Sequence, residues 1–471
     1  MSETLDRKHS RIAAFWKDPD HLIFFIIFLL FLERIATMFT LGLDYESSGD
    51  TYTYIQSGLT FIHSGVIANR NDYPSALIMP GMPVLIGLLS LVFGEGDFFL
   101  HIGLRLVWYV MGSVTAFFVY KAVCLKASKW YGIFAALAFF LPSRAWSSNV
   151  IMTETPYSLF FCSAIYFALA AGEFDRKKYR IGFAVSVFLA FMFRANILIT
   201  VPITLFYWLL IKKMPMRSFL HGAALVCAAL LLFIIPWTVR NYLQFHAFIP
   251  VSYGTGHPSY LGTYQGEGYP EDEILEYGWF NELEEAILAR SDDELDYATN
   301  AVDVIRTEYA DYFNADGSIK DPVTEQFLTQ ELYGQIARYR LSVWAKTDFG
   351  SLLKSFLIIK PRWALNWVWY WDQIWGVSSD LVHRFAQLNL LVCMASVLLC
   401  FVLKKDRDIM IFLCLNYLFN LYINALAFVS DRYSYNTFAL RYIIPAIGLA
   451  VLVEQLRSRK KKNNIHSEVL L

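Results

Sequence analysis

Charge is scarce in this sequence, and the scarcity excludes an ordinary soluble fold. Asp, Glu, Lys and Arg make up 17% of the 471 residues against 56% apolar ones, and the mean hydropathy is +0.41. No core could enclose so much apolar surface, so the bilayer is the solvent. Cysteine is sparse too: Cys124, Cys162, Cys227, Cys393, Cys400 and Cys414 lie in or beside apolar runs, which excludes a disulfide framework. No Asn-x-Ser/Thr acceptor occurs, which weighs against an ER lumen. A Gly-rich phosphate loop is missing, and with it any sign of a nucleotide-binding domain. Asp292-Asp293-Glu294 and Asp18-Pro19-Asp20 look like metal-nucleotide motifs but sit in an acidic loop and a cytoplasmic tail, where they read as solvated surface. There is no internal repeat and no matched pair of broken spans, which weighs against a transporter. The first apolar run lacks a small-residue cleavage site and reads as a retained helix.

What the chain does have is a series of apolar runs near the length of about 20 residues that crosses a hydrocarbon core. They predict an all-α polytopic membrane protein with about ten transmembrane helices, near 22–41, 101–122, 130–142, 152–171, 181–193, 195–211, 218–236, 380–403, 408–429 and 439–456. Basic clusters fall in alternate gaps, among them Lys121, Lys126 and Lys129, then Arg176, Lys177 and Lys178, and Lys404, Lys405 and Arg407. The positive-inside rule therefore expects both termini in the cytoplasm and the chain in an inner or plasma membrane. Residues 241–350 hold 20 Asp and Glu against 6 Lys and Arg in a chain of net charge -1, so that segment is expected outside. This dipolar pattern implies a lipid bilayer as partner and no nucleic acid. Three regions follow: 1–236 with an outside loop at 42–100, a large outside segment at 237–378, and 379–471 with a basic tail. Within the first loop Val84–Phe93 is too short to cross and is expected to lie in the interface or to re-enter. Apolar positions at helical spacing over 281–312 and 322–348 predict a small helical outside subdomain.

Ionisable residues at membrane depth mark function by default. Glu33 and Arg34 fall roughly halfway along the first span and are expected to pair internally. Ser48-Gly49-Asp50-Thr51-Tyr52-Thr53-Tyr54 places a carboxylate just outside that span, where a membrane enzyme keeps a base. Arg105, Arg144, Glu154, Arg194, Arg240, Arg432 and Arg441 map near the outer ends of spans. Many guanidinium groups around few carboxylates favour an anionic ligand such as a phosphate. Trp363, Trp367, Trp371 and Trp375 recur at i, i+4 spacing; on a helix they would form an aromatic belt, or a stacking platform for a sugar or isoprenoid.

These residues resemble the GT-C superfamily of polyprenyl-phosphate-dependent glycosyltransferases, in its protein O-mannosyltransferase and aminoarabinose-transferase branch. Gly49-Asp50-Thr51-Tyr52-Thr53-Tyr54 is similar to the family's Asp motif in the first outside loop, and Pro80-Gly81-Met82-Pro83 through Phe93-Gly94 to its second juxtamembrane helix. Arg105 is similar to the Arg opening the next span, Thr153-Glu154 to an acidic position, and Arg194-Ala195-Asn196 to an Arg-Pro step. Pro236-Trp237-Thr238-Val239-Arg240-Asn241, followed by Pro250-Val251-Ser252 and Gly256, matches a family signature, and Arg441-Tyr442-Ile443-Ile444-Pro445 resembles the terminal Arg-Tyr-x-x-Pro. The family often has Asp-Glu where this chain has Asp50-Thr51, and a basic residue where it has Ile78 or Met79.

The resemblance implies a sugar donor linked through one phosphate to a polyisoprenoid, and an acceptor hydroxyl on a glycan, lipid or protein. Asp50 would be the general base, the anomeric carbon would invert, and Glu154 would orient the acceptor or share a divalent metal cation with Asp50. Arg240, Arg441, Arg194 and Arg105 are the expected phosphate ligands, with His257 a further candidate metal ligand and Tyr54, Trp367 and Trp371 a lipid or sugar platform. Two alternatives stay open: a flippase of lipid-linked saccharides, and a polymerase or ligase using diphosphate-linked glycans.

Overall fold

The computed structural model describes residues 19–45, 49–69, 72–138, 141–289, 297–371 and 374–469. Helix α1 (Pro19–Leu41) is followed by two shorter helices, α2 (Gly49–Ser64) and α3 (Gly81–Phe93), and then by the long α4 (Asp97–Val123). Short helices α5 (Lys129–Leu137) and α6 (Pro142–Asn149) precede α7 (Glu154–Phe174), α8 (Lys177–Phe193), α9 (Ile197–Phe206) and α10 (Met216–Phe245). The polar segment carries α11 (Gly256–Gly262), α12 (Phe280–Leu288), α13 (Tyr297–Glu308), α14 (Glu325–Thr347), α15 (Phe349–Lys354) and α16 (Lys360–Asn366). Two long helices, α17 (Ser379–Leu403) and α18 (Arg407–Ala427), then a single turn, α19 (Asp431–Ser434), lead to α20 (Leu440–Val469). Among the described residues the only extended pairing is three isolated bridges.

Helices fall on each of the ten expected runs, and among the described residues six are long and apolar enough, each as a single unbroken helix, to cross a membrane. A seventh results if Asp431–Thr437 and Leu440–Lys460, bent by 47°, count as one span. The shortfall has local causes. α5 has 9 residues, α8 opens on Lys177-Lys178-Tyr179-Arg180, and α9 contains Pro202 and gives way to a π turn at Tyr207–Ile211. The boundary expected at 236 also falls inside a helix, because α10 runs on past Pro236 to Phe245. Glu33 and Arg34 form the expected internal ion pair, with Arg34 buried.

The core is a bundle in which α7 packs on α8 and α4, α10 on α8, and α17 on α20. Beside it, α2 and α3 form a hairpin whose backbones nearly touch: a Cβ on Gly87 would stand 2.7 Å from the Gly58 carbonyl oxygen. Only glycine allows that approach. The family-like signature acts as a clasp. The Trp237 indole donates to the Val251 carbonyl, Asn241 donates to Ile249 O at 2.8 Å, and Arg240 donates to Ser75 O at 2.9 Å and Ile67 O at 3.2 Å.

The polar segment docks onto the bundle through α11. A Cβ on Gly262 would stand 1.7 Å from the Ala427 carbonyl oxygen, and Lys360 Nζ donates to both Gly262 O (3.1 Å) and Ala427 O (3.0 Å). The Gln265 amide pairs in both directions with the Val429 backbone at 2.8 Å. These bonds fix the end of α18 and the turn α19 that follows it.

The tryptophan stripe is not helical along its length. α16 ends at Asn366, Trp367 is extended and Trp375 has φ 57. Tertiary hydrogen bonds win here over helix formation, to which aromatic residues are only moderately suited. The Tyr370 hydroxyl donates to Val377 O at 2.8 Å and accepts from Ile374 N, and the Trp371 indole donates to Asp431 Oδ2 at 2.8 Å.

Candidate active site

Four helix ends converge on one charged cluster. Asp50 stands in the first turn of α2, Glu154 is the first residue of α7, Arg194 caps the C-terminus of α8, and Arg432 lies in α19. Carboxylates at helix N-termini and a guanidinium at a C-terminus each complement the helix dipole. Arg432 bridges the two acids: Nη1 donates to Asp50 Oδ2 at 2.6 Å, and Nε stands 3.0 Å from Glu154 Oε1. Arg194 donates to the same Glu154 oxygen and, through Nε, to Thr153 Oγ1 at 2.8 Å. Both guanidinium groups lie over the Tyr433 ring, at 5.4 and 5.7 Å.

The two acids differ in environment. Glu154 is fully buried, whereas the Asp50 side chain is 39% exposed and faces a cavity. Glu154 is thus a fixed counterion and Asp50 the carboxylate a substrate can reach. Tyr54 is buried one turn along α2, and burial pushes its phenol up to about 12. It remains a neutral donor at physiological pH and not a second base.

Two cavities meet here. The larger, about 640 Å³, is lined by Asp50, Tyr54, Asn69, His257, Trp279 and Gln330 among others; the smaller, about 300 Å³, by Thr153, Arg194, Asn196, Asn424 and Tyr433. Tyr54 and Arg432 line both and form the partition. Both volumes fall in or at the edge of the range of about 300–1,000 Å³ typical of small-molecule sites.

This arrangement of helices has solved counterparts. The chain superposes on the archaeal oligosaccharyltransferase AglB from Archaeoglobus fulgidus, solved in complex with an inhibitory peptide and a dolichol-phosphate, with a TM-score of 0.54 at 11% identity. The apo form of that protein gives 0.53 at 12%; in both cases 96% of this chain is covered and 52% of the other. This is the GT-C fold. ArnT from Cupriavidus metallidurans, bound to undecaprenyl phosphate, matches with a TM-score of 0.42 at 12% identity over 92% of this chain and 77% of that one. Residues 74–239 match the dolichyl-phosphate-mannose-protein mannosyltransferase family. No curated protein sequence matches the chain.

On this GT-C frame the expected residues separate into two groups. Asp50, Glu154, Arg194 and Tyr54 come together, and His257 lines the larger cavity, its ring 4.8 Å from that of Tyr333. Arg105, Arg240 and Arg441 stand elsewhere and are committed to backbone oxygens. Arg105 holds Gly42 O and Leu43 O at 3.0 Å, Arg240 belongs to the clasp above, and Arg441 bonds the Tyr417 hydroxyl at 2.8 Å and the Leu365 carbonyl. Arg105 thereby satisfies carbonyls just beyond the end of α1, and Arg441 one in the last turn of α16. Trp367 and Trp371 line a separate cleft with Gln265, His383 and Asp431.

Arg432 is the residue that the expected phosphate ligands omit. Its signal was its place near the outer end of a span in Asp431-Arg432-Tyr433, but no family motif singles it out. Among the described residues no group of three His, Cys, Asp or Glu side chains stands close enough to hold an ion, and the Arg432 guanidinium occupies the place between Asp50 and Glu154. Of the metal-nucleotide look-alikes, Asp18 and Asp292-Asp293-Glu294 lie outside the described residues, and Asp20 bonds Lys129 and Tyr120.

Proposed function

We propose that this chain is an inverting membrane glycosyltransferase that moves a sugar from a polyprenyl-phosphate donor to an acceptor hydroxyl on the outer side of an inner or plasma membrane. The observation that carries the proposal is Asp50, exposed into one cavity while tied through Arg432 to a buried Glu154 and to Arg194 in the next. The match to a dolichyl-phosphate-mannose-dependent family and the fold of a protein solved with a dolichol-phosphate support a lipid-phosphate donor.

In this scheme the acceptor hydroxyl enters the larger cavity and gives its proton to Asp50. Its oxygen attacks the anomeric carbon, the bond from that carbon to the phosphate oxygen breaks, and polyprenyl phosphate leaves with the bonding pair. The donor phosphate lies in the smaller cavity, where Arg194 and Arg432 face it and stabilise the charge that develops on the leaving oxygen. Positioned base catalysis contributes about 10²- to 10⁴-fold. A phosphate monoester, with a second pKa near about 6, leaves without a strong general acid. Glu154 keeps both guanidinium groups in register.

Purified protein given the same sugar on an undecaprenyl monophosphate and on a diphosphate tests the donor class. Product from the monophosphate with inverted anomeric configuration is expected; product from the diphosphate alone would assign the chain to a polymerase or ligase chemistry.

A further inference from the structure

The larger cavity carries information about the acceptor. Its walls combine flat aromatic faces with side-chain amides. Trp279 and Tyr277 are exposed at its rim, and Asn69, Gln326 and Gln330 lie deeper. Among the described residues Arg432 is the one Lys or Arg in the lining, and it is bridged to Asp50 and Glu154. The segment 241–350, which supplies His257, Glu276, Trp279 and Gln330 to the lining, carries 20 acidic against 6 basic residues in sequence, a balance unfavourable to an anion. The rim is also built to stay in place: the Tyr333 hydroxyl accepts from Tyr277 N at 2.8 Å and donates to Leu275 O at 3.1 Å, while the Tyr260 hydroxyl accepts from Leu275 N at 2.9 Å.

We propose that the acceptor is an uncharged saccharide, stacked on Trp279 and Tyr277 with its reacting hydroxyl turned toward Asp50. A sugar ring offers an apolar face to an indole and a rim of hydroxyls to amides, which is the composition found. A phosphorylated glycolipid would meet, among the described lining residues, a single guanidinium already shared between two carboxylates. The inference rests on the transfer reaction proposed above.

The test supplies full-length protein with labelled undecaprenyl-phosphate sugars and, as acceptor source, membranes of a strain lacking the protein. Label is expected in a protease-resistant glycan that, once released from lipid by mild acid, passes an anion exchanger. Label in protein, or in a glycan that keeps phosphate, overturns the saccharide assignment while leaving the transfer reaction standing. Donor left intact in every reaction overturns the transfer reaction instead. In that event neutral oligosaccharides released from the same membranes should still bind the wild-type protein in equilibrium dialysis, and absence of binding overturns the assignment. Trp279→Ala should raise the acceptor KM about three- to tenfold with donor KM and kcat within about twofold, and Trp279→Phe should restore it; an unchanged acceptor KM in both Trp279→Ala and Tyr277→Ala contradicts the proposal.

Discussion

Asp50 and Arg432 are far apart in the chain and 2.6 Å apart in space, which is why one was legible in the sequence and the other was not. A carboxylate just beyond an apolar span stands out against its surroundings; an arginine at a span end does not, because most such arginines anchor backbone carbonyls, as Arg105 and Arg441 do here. Arg432→Lys cannot bridge both acids, since an ammonium lacks the planar fork. That variant should lose about tenfold or more in kcat with a smaller change in acceptor KM, measured by steady-state transfer, and Arg432→Gln should lose more and lower the melting temperature. A second residue-scale expectation concerns Lys360, whose ammonium burial pushes down to about 7. Because the unfolded chain binds that proton up to pH about 10 and the folded chain releases it near 7, folding stability rises with pH between those values. The melting temperature of wild type relative to Lys360→Met should therefore climb between pH 7 and 9; a constant difference would show that Lys360 stays charged throughout.

Elements place these side chains by contacts that leave no room for a Cβ. The run Val84–Phe93, which reads as too short to cross, falls within the 13-residue helix Gly81–Phe93. Its closeness to α2 was not legible, because Gly58 and Gly87 reveal their role only once paired. Gly87→Ala should push α2 away from α3 and carry Asp50 with it. The expected cost is about 1–3 kcal/mol of stability, seen in denaturation, together with a fall in kcat at unchanged donor affinity. Breaks within the apolar runs are illegible for the opposite reason. Apolar runs such as 130–142 and 195–211 have the composition of spans, but short helices, Pro202 and π turns divide them, and hydropathy does not register a break in geometry. The tryptophan stripe is a similar case: its spacing suits a helix, yet a hydrogen bond from Tyr370 to nearby Val377 and one from Trp371 to distant Asp431 hold it open.

At the scale of the whole molecule the membrane class is the most legible, since an apolar content of 56% requires no knowledge of packing. The proposed sidedness predicts that a cysteine introduced at Ser318, in the acidic segment, reacts with an impermeant maleimide on intact cells, while one at Lys177 reacts only after permeabilisation. Reversed labelling would put Asp50 on the cytoplasmic side and remove the basis for transfer at the outer face. Packing between the polar segment and the bundle, by contrast, emerged only from the fold: Gln265 with Val429, and Gly262 with Ala427, set the position of Arg432 over a gap of more than a hundred residues. The most direct measurement of the proposed chemistry is the rate of sugar transfer from a synthetic polyprenyl-monophosphate donor by wild type and by Asp50→Asn, an isosteric change that leaves the fold intact. Transfer by the wild type and a loss of about 10²- to 10⁴-fold in the variant are expected; equal rates in the two proteins would contradict Asp50 as the base.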